Sequence, residues 1–411
     1  MSTPSAEPGS GSRRGPVDHP ETQGPSRAPT RQTSRWVLVA SILARMPQGL
    51  APLSVVLLAQ ERTGSIAAAG LAGGAWAMGS AVSQPLWGGL AGRGRAHRIE
   101  AATASMQALV LVALAVGTHD AEQAVIALAG LGGLFSAPTS PISRTLWPQL
   151  ALDEHHLDAL YTHDATWQEL IFIAGPAMVG FLVAASGPSA SLLTAAALGV
   201  GGAVVFSFII KPLWQPHPEP ASRVRLGRSL RLMAGPYTVL CLMALGLGMA
   251  EVGVPAAAII EDNRAASGWL LALWSVGSLV GGLCAARITW RRNPAERWPG
   301  LLLGVAAGTA TTVVGWQFGL PWLGVSLFLA GLALAPSLAA GYGVIGERAA
   351  PGRRTDAFAW TTTFLLIGIG SGVAIGGVLA DVSPTWTFAA GAAVSVVAAG
   401  AAQVWVTQRA R

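Results

Sequence analysis

The chain has 411 residues, of which 52% are hydrophobic and only 11% charged, and its mean hydropathy is +0.51. A water-soluble domain carries about 25% charge, so this composition excludes an ordinary soluble fold and calls for lipid. The net charge of +6 does not imply nucleic acid, because the basic residues fall in short stretches between apolar runs and form no basic face for a duplex.

A bilayer core about 30 Å thick asks for roughly 20 apolar residues per helix. Twelve such runs are read along the chain, over 36–59, 65–91, 99–117, 121–142, 165–186, 189–210, 237–260, 265–286, 300–318, 321–345, 357–380 and 385–406. Strands of an outer-membrane barrel would alternate polar and apolar residues in segments of about ten, whereas these runs are continuous and longer. The expected fold is an all-α polytopic membrane protein. Its 51 glycines fit that class, since small residues let membrane helices approach closely.

The runs form one unit used twice. Trp76, Gly79 and Ser80 recur as Trp274, Gly277 and Ser278, Ala137-Pro138 as Ala335-Pro336, and Asp158-Ala159-Leu160 as Asp356-Ala357-Phe358, each 198 positions on. Three separate places agree on one register. The expected organisation is a disordered tail over 1–34, a six-helix bundle over 35–211, a linker over 212–235, a second bundle over 236–407 and a short tail over 408–411.

Residues 1–34 are rich in Pro, Ser, Gly and Arg and have nothing to bury. A cleaved signal peptide is not expected, because the charged region is too long and a full-length span follows it. In the first span Ser41, Arg45, Gln48 and Pro52 fall on one helical stripe. Arg45 is deep for a guanidinium facing lipid, so it either bonds carbonyls as a structural group or lines a substrate cavity together with Gln48.

The second span runs into SQPLWGGLAGRGRAHR. Here the chain resembles the major facilitator superfamily, whose motif at this loop is Gly-x-x-x-Asp-Arg-x-Gly-Arg-Arg. Gly88, Gly92, Arg93, Gly94, Arg95 and Arg98 stand for its glycines and basic residues, with Gly92 at the acidic position and one residue fewer. In the family that acid helps latch the inner gate, so the resemblance implies a gate at Gly88, Arg93 and Arg95 without the usual latch. The glycines permit a tight turn and the arginines anchor to anionic headgroups.

The third span carries Gln107, and the fourth ends in SAPTSPIS, where Pro138 and Pro141 remove backbone donors and bend the helix. The superfamily's drug/proton antiporters usually carry an Arg within this span. Here Arg144 follows at its edge. The stretch DEHHLDALYTHD gathers Asp153, Glu154, His155, His156, Asp158, His163 and Asp164. It admits a metal or pH-sensing role, but the spacing fits no closed ligand set and a solvated loop explains it as well. Beyond it Glu169 precedes Gly175-Pro176 and Gly180, which resembles a reduced form of the superfamily's antiporter motif, in which a Gly-Pro pair bends and packs the fifth helix. RTLWPQL, DATWQEL and GP together are similar to actinobacterial efflux-permease-like members, a resemblance that covers the chain from Arg35 onward.

In the second half Glu251 lies inside the seventh span, and an intramembrane carboxylate is by default a functional hypothesis. A solvated Glu near the outer end is the competing account. Tyr342 in the tenth span is an interfacial anchor or a ligand contact. Cys241 and Cys284 stand alone in apolar runs and imply no disulfide.

Basic residues crowd alternate loops: Arg13 to Arg35, Arg93 to Arg98, Arg144, Lys211 to Arg231, Arg287 to Arg297, Arg348 to Arg354, and Arg409 with Arg411. The other loops hold only Arg62 and Arg264. By the positive-inside rule both termini and the linker are cytoplasmic, and the expected location is the cytoplasmic (inner) membrane. No phosphate-binding loop, zinc helix or nucleophile elbow is present. An intramembrane enzyme would need converging carboxylates, and these are single and scattered in sequence, so no catalytic residue, metal or cofactor is expected.

The sequence thus predicts a secondary transporter working by alternating access, the expected partners being membrane lipid, a small-molecule substrate and protons, with no nucleic acid and a monomeric chain. Proton-coupled efflux of a drug-like or metabolite compound is the expected activity. Arg45, Gln48, Gln107, Glu169, Glu251 and Tyr342 are the expected cavity or coupling residues, and Gly88, Arg93, Arg95, Pro138, Arg144, Gly175 and Pro176 the gate or bending residues. A facilitator or an importer of sugars or amino acids, and a non-transporting receptor or scaffold, are the alternatives.

Overall fold

The computed structural model describes residues 30–117, 121–214, 226–288, 293–348 and 354–410. Its fourteen α-helices among those residues are α1 (Arg31–Thr63), α2 (Ile66–Leu90), α3 (Ala96–Val116), α4 (Glu122–Leu134), α5 (Thr139–Leu150), α6 (Glu154–Ser186), α7 (Pro188–Ile210), α8 (Leu226–Ile260), α9 (Ala266–Ala286), α10 (Pro294–Gln317), α11 (Leu320–Leu332), α12 (Leu334–Arg348), α13 (Arg354–Val382) and α14 (Pro384–Ala410). With α4–α5 and α11–α12 each making one broken span, twelve segments are long and apolar enough to cross a bilayer. This is a multi-pass membrane architecture.

The duplication reaches down to single residues. α1 ends on Gly64 in the left-handed conformation, and 198 positions later Asp262 takes the same backbone form after α8. α3 starts at Ala96 and α10 at Pro294, again 198 apart. In both halves the broken span packs on its neighbour through a glycine. A methyl group on Gly133 would overlap the Trp76 carbonyl oxygen, and one on Gly331 the Trp274 carbonyl oxygen. The helix restarts at the repeated proline because Pro lacks an N–H but suits a first turn: Pro138 immediately precedes α5 and Pro336 lies in the first turn of α12.

Several boundaries differ from the sequence expectation, and α14 runs to Ala410, into the expected tail over 408–411. α1 begins at Arg31, capped by Thr30, and so takes in the end of the expected tail. α8 begins at Leu226, inside the expected linker. Most consequential, α6 begins at Glu154, with Asp153 accepting from the His156 amide as N-cap. The acidic and histidine-rich stretch is therefore helix rather than loop. Its cap and first-turn Glu154 favour that helix electrostatically, which a hydropathy reading cannot register. Residues 1–29 and 215–225 lie outside the described part of the chain.

α1 begins and α14 ends at one end of the bundle, here the terminal end; the other is the far end. One apolar core spans both halves at the far end, joining Leu53, Leu57, Ala69 and Leu192 to Val254, Ala257, Leu270 and Val373. At the terminal end each half has its own core, one around Ile142, Trp147 and Phe206, the other around Met243, Trp298 and Val344. The contacts that join the halves follow this division. Gly70 meets Gly377 and Gly74 meets Gly370 where α2 crosses α13, while Gly180 meets Gly268 where α6 crosses α9. Asp381 accepts a hydrogen bond from the Ile66 amide at 3.2 Å, and Arg264 lies 3.4 Å from Glu61. The molecule is sealed at the far end and divided at the terminal end.

Candidate functional site

α1 and α6 lie against one another because both place a glycine at the crossing. Gly49 meets Ile171 and Gly175, so a side chain on either glycine would force the helices apart. This close approach positions everything on the terminal side of it. Beside Gly49, Gln168 donates to Gln48 across the crossing at 3.4 Å. One turn further, Arg45 reaches Asp164, with Nη2 2.7 Å from Oδ1.

That ion pair is closed to solvent: Arg45 is 0% exposed and Asp164 2%. Asp164 is also shared. Its other oxygen lies 3.2 Å from Nε of Arg144, a side chain that remains 55% exposed. A second buried carboxyl stands nearby on α3. Glu100, also 0% exposed, accepts from the hydroxyl of Thr139 at the start of α5, while its Oε2 has no partner. Nε and Nη1 of Arg45 are likewise unpartnered. Ala44, Ala104, Ala137 and Ala203 form a small buried cluster beside these groups; their short side chains let α1, α3, α7 and the α4–α5 junction converge.

Such an arrangement is costly unless it acts. Removing ions from water carries a penalty of several kcal/mol each, about what good pairing returns, and here pairing is incomplete. The second half shows that the scaffold does not need it. The positions 198 residues after Arg45, Glu100, Arg144 and Asp164 are Met243, Trp298, Tyr342 and Thr362, and Met243 and Trp298 are fully buried in the apolar core of that half.

The remaining expected residues are distributed as follows. Gln107 is buried and commits its amide to the Gly132 carbonyl and the Ser136 hydroxyl, at 3.0 and 3.1 Å, so it ties α3 to α4. Pro176 lies inside α6, and its carbonyl faces Gly268 of the other half. Gly88 packs loosely against Pro141. Ala91–Arg95, the segment resembling the family's loop motif, is a π-helical turn in which Gly94 has φ 102° and Arg95 is exposed. Tyr342 makes an edge contact with Phe358, ring centroids 6.2 Å apart. The side chains of Arg93 and Glu169 lie outside the described ones.

Glu251 belongs to the other half and stands alone. On α8, Gly248 and Val252 turn to α13 and Gly253 turns to Phe388 of α14. By helical periodicity Glu251 occupies the side those contacts leave free. It is partly exposed, and its carboxylate forms no hydrogen bond or ion pair with any described residue. A depression of about 300 Å³ at the far end, lined by Glu61, Asp262 and Arg264 among others, is remote from all these groups.

Sequence reasoning singles out Arg45, Gln48 and Arg144, which the structure gathers along the α1–α6 contact. It passes over Glu100 and Thr139, and it takes Asp164 for part of a loop. The signal that would have found Glu100 and Asp164 is the repeat itself, since there one copy carries an ionisable group and the other does not, whereas Thr139 is matched by Ser337 and gives no such signal.

Comparison with known proteins places this geometry. The model of the Major Facilitator Superfamily matches residues 37–235, essentially the first repeat. No curated protein sequence matches significantly. Among solved structures, a variant of the nucleoside transporter NupG superposes with TM-score 0.70 at 16% identity, covering 90% of this chain and 99% of that one. A bacterial homologue of the iron transporter ferroportin in an inward-facing state gives 0.66 at 13% identity, covering 91% and 98%. A bacterial homologue of the human lysosomal transporter Spinster, inward-facing and unoccupied, gives 0.67 at 12% identity, covering 90% and 98%. The chain therefore has the major facilitator fold: twelve spans in two six-helix repeats, the first of which matches the superfamily's sequence model.

Proposed function

We propose that this chain is a secondary active transporter of the major facilitator superfamily that moves a small molecule across the cytoplasmic membrane by alternating access, exporting a drug-like or metabolite compound in exchange for protons. The observation that carries it is the division of the core. One shared core at the far end and two separate cores at the terminal end leave the halves joined at one edge and apart at the other, the arrangement that rocking about a central site requires. With the arginine-rich loops cytoplasmic, the cleft of this conformation opens inward.

Glu251, uncompensated on the free side of α8, is the cleft's negative charge and suits a cationic group or a proton. Glu169, one helical turn beyond the Asp164 pair on α6, is the second candidate carrier. One charge crossing 100 mV is worth about 2.3 kcal/mol, enough to hold roughly a fifty-fold gradient of a neutral solute, so a single carboxyl suffices for coupling. The efflux direction and the proton rest on the resemblance of the GP-containing fifth helix to the antiporter motif.

The test is substrate-driven proton movement in proteoliposomes containing the wild type, Glu169→Gln or Glu251→Gln. At least one variant is expected to lose proton movement. If both couple as the wild type does, these carboxyls are not the carriers; counterflow with no pH dependence would support a facilitator instead.

A further inference from the structure

Two arginines and two carboxyls meet in the first half, yet they are not paired one to one. Arg45 and Arg144 both lean on Asp164. Glu100 is left to the hydroxyl of Thr139, with one oxygen unpartnered, although Arg45 has two nitrogens free. Were both carboxyls ionised, the lowest-energy pairing would give each its own guanidinium, because an unpaired buried carboxylate and a half-paired buried guanidinium are each expensive. The observed crowding on Asp164 is the pattern expected when Glu100 carries a proton.

We propose that Glu100 is a proton-binding site and that its proton decides which carboxyl holds Arg45. With the proton on, Glu100 is a neutral acid bonded to Thr139, and Arg45 ties α1 to Asp164 of α6, as in this conformation. When the Glu100 O–H bond breaks and the proton leaves to water at the terminal end, the new carboxylate draws Arg45 toward α3, and Asp164 keeps Arg144. No other bond forms or breaks. Arg45 thereby exchanges its tie to α6, the helix whose far end meets α9 of the other half, for a tie within α1 and α3.

The surroundings of Glu100 leave few rivals for this control. α7 and α2, which pack against α3, carry no charged residue, and α4 carries only Glu122 at its opposite end. The π-helical turn brings Arg93 and Arg95, α3 itself His97 and Arg98, and Lys211 follows α7. The charge that acts on Glu100 is thus Arg45 from α1, whose partner Asp164 comes from α6 and is shared with Arg144 from α5. The second repeat, where Trp298 and Met243 fill the same places, has no counterpart to this exchange.

The consequence for transport rests on the proposed function, but the proton site itself does not, so its test uses no substrate and no gradient. Infrared difference spectra of the full chain in lipid, acidic minus alkaline, are expected to contain the carbonyl stretch of a protonated carboxyl that is lost in Glu100→Gln and kept in Glu251→Gln. Thr139→Val retains Glu100 and is expected to move that band to higher frequency, because the hydrogen bond to its carbonyl oxygen is gone. This variant decides the matter even if Glu100→Gln fails to fold. An unchanged band in Glu100→Gln, or an unmoved band in Thr139→Val, overturns the assignment. A band that behaves as stated in a protein whose transport moves no protons supports the Glu100 site while removing proton coupling. Proton-coupled transport in a protein whose band is indifferent to both variants leaves coupling in place and removes Glu100.

Discussion

The first repeat buries Arg45, Glu100 and Asp164 where the second places Met243, Trp298 and Thr362, with the half-exposed Arg144 matched by Tyr342. The two halves share helix starts, left-handed caps and the glycine contact under a tryptophan carbonyl, so the fold accepts either chemistry. Apolar filling is the cheaper solution in a membrane core, since replacing a buried ion cluster by well-packed hydrophobic residues is neutral or stabilising. Charge kept in one copy alone therefore points to an activity of that copy. The second half has the opposite distribution: among its described residues no charged side chain is fully buried, and the half-buried Glu251 has no partner there. One half holds a cluster of opposite charges, the other a single carboxyl.

Breaking the cluster should have the largest effect. Asp164→Asn takes from buried Arg45 the carboxylate that pairs with it and, in acidic buffer where Glu100 keeps its proton, is expected to cost about 3–5 kcal/mol, read as a fall in thermal stability of the purified protein. Loss of stability comparable to a surface substitution would mean that water reaches Arg45. Next, Gly133→Leu and Gly331→Leu should each destabilise by about 1–3 kcal/mol, and by similar amounts, because both repeats use the same contact. An effect confined to one half would break the structural equivalence. Arg45→Met together with Asp164→Thr installs residue types from the second repeat and should recover most of the stability lost in Asp164→Asn while abolishing proton-linked behaviour; recovered stability with intact coupling would show that the cluster is only scaffold. Glu251→Gln should change stability by less than about 0.5 kcal/mol yet alter coupling or substrate affinity, which separates the lone carboxyl from the paired ones. Smallest of all, Glu61→Gln removes a half-exposed ion pair worth about 0–1 kcal/mol, and should leave thermal stability nearly unchanged.

Much of the fold was legible because lipid imposes it. Continuous apolar runs, the 198-residue recurrence of Trp76 to Ser80 and the repeated Ala-Pro at the broken spans define twelve segments and two halves before any coordinates. The site was legible only in part. Arg45 stands out as a guanidinium inside an apolar run, but Glu100 sits next to the start of its run and looks like a boundary residue. Asp164 sits among histidines and acids that resemble solvated loop. Hydropathy measures which residues lipid can surround, and α6 extends eleven residues before that point, held by the Asp153 cap. Which face of that extension turns inward depends on the Gly49–Gly175 contact, a tertiary fact that no local pattern encodes. Gln107 shows the converse: a polar residue in mid-span suggests a cavity, yet its amide is engaged between α3 and α4.

In the proposed function the halves rock about a cleft now open at the terminal end. The direct measurement is the distance between spin labels across the halves at both ends, one pair at Tyr161→Cys and Phe358→Cys, the other at Glu61→Cys and Asp262→Cys, recorded in lipid under acidic and alkaline conditions. The account predicts opposed changes, with the terminal-end distance shortening in the condition that lengthens the far-end distance. Distances that stay fixed at both ends, or that change together, would contradict it.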